Sequence, residues 1–135
     1  MTENKNLFTG KRAIVVDDDH DLVDTFKTYL VDFGFSVVTG HSHDEGGRYI
    51  MEEEYDLAIF GLMMDKADSG FILSYLSKKQ NPSATVLIVT SVTASTGIRF
   101  DNYNKEKCAW VKADEVLDKN TRPEQLERIL EKYLD

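Results

Sequence analysis

The stretch Arg12-Ala13-Ile14-Val15-Val16-Asp17-Asp18-Asp19 is a short, mostly apolar run that ends in three aspartates. A run of this kind is typical of a strand that is buried on both faces of a parallel sheet. The residues that follow place apolar side chains on one face of a helix, namely Leu22, Val23, Phe26, Tyr29, Leu30 and Phe33. Gly34 is expected to end this helix. The sequence therefore predicts a buried strand that leads through an acidic loop into an amphipathic helix.

The same alternation of strand and helix continues along the chain. Further strands are predicted at residues 36–39, 57–60, 85–90 and 116–117. Further helices are predicted at residues 44–53, from Ser69 to about Asn81, and from Thr121 to the C-terminus. In the third helix, the side chains expected to face the core are Phe71, Ile72, Tyr75 and Leu76. Residues 91–113 are interpreted as a partly helical crossover.

Five strands that alternate with helices predict an open, doubly wound parallel sheet of the flavodoxin-like α/β class, with helices on both faces. The 135 residues are expected to form one domain, with a core from about residue 11 to residue 135 and a polar extension at residues 1–10. Ligand sites in such sheets lie beyond the carboxyl ends of the strands. The residues expected to converge there are 17–19, 61–64 and 90–91, together with Lys119.

The charge of the chain limits the partners that it can bind. The formal net charge is -8, and Lys and Arg form no separate stripe that could neutralise phosphates, so direct binding of nucleic acid is not expected. No apolar run has the length of a membrane span or the pattern of a signal peptide, so a soluble, cytoplasmic protein without a membrane partner is expected. The single cysteine, Cys108, can form no internal disulfide.

Motifs at the ends of the predicted strands resemble those of the receiver domain of two-component response regulators. The acidic pair lies in Ile14-Val15-Val16-Asp17-Asp18-Asp19, the hydroxyl position in Leu87-Ile88-Val89-Thr90-Ser91, and the lysine in Asp114-Glu115-Val116-Leu117-Asp118-Lys119. Leu57-Ala58-Ile59-Phe60-Gly61 is the strand whose end matches the phospho-acceptor position. The resemblance covers the chain from about residue 11 to residue 135.

The resemblance implies roles for these residues. In the family, two acidic residues hold Mg²⁺ together with an acceptor aspartate, and the acceptor attacks phosphorus; a lysine pairs with the product and a hydroxyl bonds a phosphoryl oxygen. By this resemblance, Asp17 and Asp18 match the metal ligands together with the backbone carbonyl of Met63, Thr90 matches the switch hydroxyl, and Lys119 matches the phosphate-pairing cation. The implied partners are proteins: a histidine kinase or phosphotransfer domain, or a downstream target on the family's signalling surface.

Gly61 stands where the resemblance leads us to expect the acceptor aspartate. Glycine has no carboxylate, so it can neither attack phosphorus nor bind a metal through a side chain, and any Mg²⁺ binding is expected to be weak. Asp65 is the other carboxylate that could approach. The chain is therefore predicted to be a stand-alone pseudo-receiver that is not phosphorylated, is not an enzyme and acts through protein contacts. Without a metal, Lys119 is expected to form an ion pair with Asp17 or Asp18. The sequence leaves open whether Gly61 is natural or introduced.

Two other interpretations compete with this one. Asp17-x-Asp19 after an apolar strand also resembles the opening motif of haloacid-dehalogenase-type phosphatases, in which the first aspartate is the nucleophile and the second a general acid; Asp21 stands where that family needs Thr or Val. A flavodoxin-like nucleotide-binding domain would need a phosphate loop rich in Gly, Ser or Thr after the first strand, and three aspartates stand there instead. His41 and His43 are interpreted as residues of a solvated loop rather than as metal ligands.

Overall fold

The computed structural model describes residues 8–62, 64, 69–90 and 113–134, which form five strands and four helices. The strands are β1 Arg12–Val16, β2 Ser36–Gly40, β3 Leu57–Gly61, β4 Thr85–Thr90 and β5 Glu115–Asp118. The helices are α1 His20–Phe33, α2 His43–Glu52, α3 Ser69–Gln80 and α4 Pro123–Leu134. The strands form one parallel sheet in the order β2-β1-β3-β4-β5, which confirms the predicted fold class. Most of the predicted crossover, residues 91–112, lies outside the described residues.

Both faces of the sheet are covered, because alternate residues of each strand point to opposite faces. Val15 of β1 lies in a core cluster with apolar residues of α1 and α4, among them Phe26 and Leu126. Ile14 of β1 lies in a second cluster with Leu73 of α3. Alternate side chains of β1 therefore belong to two separate cores, one on each face of the sheet, as expected of a doubly wound sheet.

The core begins before the expected boundary at residue 11. Phe8 is buried, and its backbone N–H donates a hydrogen bond to the carbonyl of Phe33 at 2.9 Å. The ring of Phe8 lies 6.3 Å from the ring of Phe33 and 5.3 Å from that of Phe35, measured between centroids. A single aromatic residue in a polar stretch carries no periodicity, which is why the sequence pattern did not indicate this contact.

Both ends of α1 are capped, and its C-terminal end lies at Gly34 as predicted from the sequence. The side chain of Asp19 accepts hydrogen bonds from the backbone N–H groups of Asp21 and Leu22, which would otherwise have no partner within the helix. Gly34 ends the helix with a φ of 107°, in the left-handed region that glycine adopts without steric cost. The cap residue Asp19 thereby fixes how the acidic loop after β1 enters the helix.

The prediction for the core-facing side of α3 is half right. Phe71 and Leu76 pack against the core clusters as expected, whereas Ile72 and Tyr75 are 48% and 53% exposed. Leu73, Ser74 and Ser77 are fully buried instead. Small residues allow this face to approach the sheet closely: a Cβ added at Gly70 would lie 2.7 Å from the Cα of Leu62, nearer than a side chain tolerates. Close approach of the backbone, rather than the size of the apolar side chains, decides which face of α3 is buried.

Candidate functional site

The register of the sheet brings the carboxyl ends of four strands to one edge. Val16 is paired with Phe60, so that Asp17 follows β1 directly beside Gly61 at the end of β3. Thr90 ends β4 and is paired with Asp118, and the backbone N–H of Lys119 donates to the carbonyl of Thr90 at 3.0 Å. The sheet thus brings Asp17, Gly61, Thr90 and Lys119 to the edge where the sequence predicted a site. Met63 and Ser91 lie outside the described residues.

The backbone and side chain of Asp17 are both held in place. Its N–H donates to the carbonyl of Gly40 at 3.2 Å, and its own carbonyl lies 3.3 Å from the Nδ1 atom of His41. The Oδ1 atom of its carboxyl group accepts a hydrogen bond from the backbone N–H of Asp19 at 3.0 Å. Asp17 is only 5% exposed, which is unusual for an aspartate.

The carboxyl group of Asp17 lies against the backbone of Gly61. A Cβ atom built on residue 61 would overlap the Cγ and Oδ2 atoms of Asp17 and would lie 2.9 Å from its Oδ1 atom. Residue 61 therefore has no room for a side chain while Asp17 keeps this position. The space above Gly61 is filled by a carboxyl group that belongs to the neighbouring strand end.

Burial raises the pKa of Asp17 from 3.8 to about 7. Removal of the carboxylate from water is the largest cause, and hydrogen bonding to Asp18 and the negative charges of Asp18 and Asp19 act in the same direction. The hydrogen bond from the backbone of Asp19 partly opposes the change because it favours the charged form. Near neutral pH, Asp17 is therefore divided between its protonated and ionised forms.

The other two aspartates of the acidic loop differ from Asp17 in their surroundings. Asp18 and Asp19 are exposed. The Oδ1 atom of Asp19 accepts hydrogen bonds from the backbone N–H groups of Asp21 and Leu22 at 3.1 and 3.2 Å, so this carboxylate caps α1. The side chain of Asp19 is thus engaged with the backbone of α1 and is not directed at a substrate position, as the general acid of the phosphatase interpretation would have to be. The geometry does not favour the phosphatase interpretation.

The ion pair expected between Lys119 and the acidic pair is not formed. Among the described residues, the ion pairs within 4.0 Å join Arg12 to Glu53, Lys78 to Asp114 and Lys132 to Glu115, and Lys119 takes part in none of them. Lys119 is exposed, whereas Asp17 is turned inward against β3. Burial of Asp17 against Gly61 takes one of the two expected partner carboxylates away from the lysine.

Two histidines border this edge and were not identified as a pair from the sequence. The rings of His20 and His41 are stacked, with centroids 3.8 Å apart and an angle of 8° between their planes. The backbone N–H of His41 donates to the Oε1 atom of Glu45 at 2.6 Å, which ties the end of β2 to α2. Both histidines follow the carboxyl end of a strand, so the rule that predicted the acidic site could also have indicated their proximity. Within the described residues, no group of three His, Cys, Asp or Glu side chains is placed to hold a metal ion.

A separate pocket of about 460 Å³ lies at the opposite edge of the sheet, where the strands begin. Its lining includes Arg12, Glu53 and Asp56, and Arg12 bonds to both acidic residues through its guanidinium and its backbone N–H. None of the strand-end residues predicted from the sequence lines this pocket. In the part of the chain that the structure describes, no helix has the length and apolar content needed to cross a membrane.

Comparisons with known proteins agree with the observed fold. The family profile described as "Response regulator receiver domain" matches residues 13–131. The transcriptional regulatory protein GlrR of Escherichia coli strain K12 is 37% identical over 78 residues, which are 58% of this chain and 17% of that protein. The chain thus aligns with only a small part of the length of this relative.

Solved structures show the same fold. A CheY-like response regulator receiver domain protein from Methanospirillum hungatei JF-1 is 27% identical with a TM-score of 0.75, and the alignment covers 91% of this chain and 93% of that one. The receiver domain of a sensor histidine kinase from Pseudomonas aeruginosa PAO1 is 17% identical with a TM-score of 0.74, covers 93% and 98% of the two chains, and has a magnesium ion coordinated in its active-site cleft. At the identity of the second protein, the likeness concerns the fold alone.

Proposed function

Because the chain belongs to the family of response regulator receiver domains, we propose that it is a two-component signalling domain that cannot accept a phosphoryl group at residue 61. A receiver domain normally passes on a signal by forming an acyl phosphate on a strand-end aspartate. Gly61 ends β3 beside Asp17 and offers no nucleophile. This position of a glycine at the acidic edge is the observation that carries the proposal.

The other strand-end groups are of the types that the resemblance to the family led us to expect. Thr90 is buried at the end of β4 and is the proposed switch hydroxyl. Lys119 follows β5 and is the proposed phosphate-pairing cation; its backbone is tied to Thr90. Their presence supports the proposal of a receiver architecture without an acceptor.

The residues present do not fit a receiver-type Mg²⁺ site in this conformation. Mg²⁺ demands near-octahedral coordination by oxygen ligands, with carboxylates supplying the negative charge. Gly61 supplies no carboxylate, and the oxygens of Asp17 are directed at the backbone of Gly61 and at the N–H of Asp19. Among the described residues, Asp18 is then the remaining candidate carboxylate, since Asp19 caps α1; Asp65 lies outside the described residues. We therefore propose that Mg²⁺ binds weakly and that no step of the function depends on it.

We infer that the domain acts through contacts with other proteins rather than through catalysis. The net charge of -8 disfavours direct contact with nucleic acid, because phosphates would be repelled. A histidine kinase, a phosphotransfer domain or a downstream target are the classes of partner that the family membership supports. If no phosphoryl group is accepted, the partner must recognise one constant surface.

Phosphorylation can be tested directly with acetyl phosphate and Mg²⁺, followed by mass spectrometry of the intact protein. We expect no phosphoryl group on the unsubstituted chain, whereas the variant Gly61→Asp provides the control in which an acceptor is present. A hydroxylamine-labile phosphoryl group on the unsubstituted chain would contradict the proposal. Capture of partners from a native extract is expected to be the same with and without acetyl phosphate, and capture that requires the phosphodonor would also contradict it.

A further inference from the structure

The missing carboxylate at residue 61 is one reason why the acidic pair does not fit Mg²⁺. The position of the Asp17 side chain is a second reason, which the missing carboxylate does not by itself explain. A glycine at residue 61 could simply leave a gap beside two metal-binding aspartates. The carboxyl group of Asp17 instead fills that gap, with its atoms in the position that a Cβ of residue 61 would occupy. We propose that Asp17 keeps this site closed to divalent cations by occupying the space that Gly61 leaves open.

Three contacts support this arrangement. The backbone of Asp17 is held on the β2 side by Gly40 and His41, so the main chain is not free to carry the carboxyl group away. Its Oδ1 atom is fixed by the N–H of Asp19, at the start of α1. The side chain is 5% exposed, so water has little access to an oxygen that would have to bind a hydrated cation.

Because Asp17 fills the space beside Gly61, the effect of a substitution at one of these two residues depends on which residue is present at the other. The atoms that obstruct a side chain at residue 61 are the far end of the Asp17 side chain, which can rotate without moving the backbone. A methyl group at residue 61 should therefore displace the Asp17 carboxylate outward, where it can again act as a ligand. Alanine brings no carboxylate of its own, so any gain in cation binding must come from Asp17.

The first test measures Mg²⁺ affinity with the metal ion alone, from the backbone amide signals of Asp18 and Asp19 in NMR spectra. We expect Gly61→Ala to bind Mg²⁺ severalfold more tightly than the unsubstituted chain, and the double variant Asp17→Ala/Gly61→Ala to lose that gain. Gly47→Ala is the matched control, because a Cβ at Gly47 would meet no atom within 4 Å. Equal or weaker Mg²⁺ binding by Gly61→Ala would overturn the proposal.

The second test is a double-mutant cycle in which stability is measured by urea unfolding. When Asp17 is present, Gly61→Ala should lower the folding equilibrium constant by roughly tenfold. In the Asp17→Ala background, Gly61→Ala should leave this constant nearly unchanged or should raise it. Additive effects would show that the two residues do not compete for space. If Gly61→Ala alone does not fold, folding of the double variant supports the proposal, and failure of both variants to fold contradicts it.

This inference rests on the proposed function, since it concerns the same site, but the two fail separately. A phosphoryl group found on the unsubstituted chain would contradict the proposed function, but it would not contradict the competition for space between residues 17 and 61. Additive effects in the double-mutant cycle, together with an unchanged Mg²⁺ affinity of Gly61→Ala, would contradict the competition for space. They would not contradict the proposal that residue 61 accepts no phosphoryl group.

Discussion

The carboxyl group of Asp17 accepts a hydrogen bond from the backbone N–H of Asp19 at 3.0 Å, although it is almost completely shielded from water. A single backbone donor does not replace the hydration that a carboxylate loses on burial, so the pKa of Asp17 rises to about 7. The folded protein then binds a proton that the unfolded chain releases near pH 3.8. The contribution of Asp17 to stability is full below that pH and is lost as the pH rises through about 7.

Replacement of Asp17 by Asn should remove this pH dependence. Asparagine keeps an oxygen acceptor for the N–H of Asp19 and cannot ionise. As the pH rises from about 4 to about 8, the free energy of unfolding of Asp17→Asn should therefore increase by roughly 2 to 4 kcal/mol relative to that of the unsubstituted chain. Urea unfolding at several pH values measures the difference, with the exposed Asp24→Asn of α1 as the control. Parallel pH profiles for the unsubstituted chain and Asp17→Asn would show that Asp17 is not buried in this way.

The orientation of α3 leads to a second prediction, on two neighbouring apolar residues. Leu73 is fully buried and packs with Ile14 and Phe60, whereas Ile72 is 48% exposed. Leu73→Ala should reduce the free energy of unfolding by about 2 to 4 kcal/mol, because it removes buried methyl groups and leaves a cavity. Ile72→Ala should change it by less than about 1 kcal/mol. Thermal or urea unfolding compares the two, and a larger loss for Ile72→Ala would mean that the sequence-based orientation of α3 was right.

The strands and α1 could be predicted from the sequence because their apolar residues follow a single clear period. In α3 two patterns compete, since large apolar residues such as Tyr75 mark one face and small residues such as Ser74 mark another. Sequence periodicity reports apolar character and not how closely two backbones approach, so it placed Ile72 and Tyr75 in the core in place of the small buried residues. The convergence of the strand ends was predictable from topology. The inward position of the Asp17 side chain could not be predicted from the sequence. It depends on the free space at Gly61, which the pairing of Val16 with Phe60 places next to Asp17.

The adjacent glycines of α2 give a third prediction, in which the same substitution has opposite effects. A Cβ at Gly46 would lie 2.9 Å from the Cδ1 atom of Leu73 and 3.3 Å from the Cγ1 atom of Val16, whereas a Cβ at Gly47 would meet open space. Gly46→Ala should destabilise the protein by about 1 to 3 kcal/mol through overpacking. Gly47→Ala should stabilise it by about 0.5 to 1 kcal/mol, because alanine favours the helix and removes freedom from the unfolded chain. Calorimetric unfolding of both variants checks the signs, and a gain for Gly46→Ala would contradict the close packing of α2 on α3.

Two buried serines one turn apart on α3 allow a fourth prediction. The Oγ atom of Ser77 lies 2.7 Å from the hydroxyl of Tyr55, whereas the Oγ atom of Ser74 has no hydrogen-bond partner in the described part of the chain. Ser74→Ala removes an unsatisfied buried group, so it should be neutral or should stabilise the protein by up to about 1 kcal/mol. Ser77→Ala should destabilise it by about 1 to 3 kcal/mol, because the hydroxyl of Tyr55 loses its partner. The double variant Ser77→Ala/Tyr55→Phe should recover part of this loss in a urea-unfolding cycle. Equal effects of the two serine substitutions would show that the hydrogen bond to Tyr55 does not distinguish them.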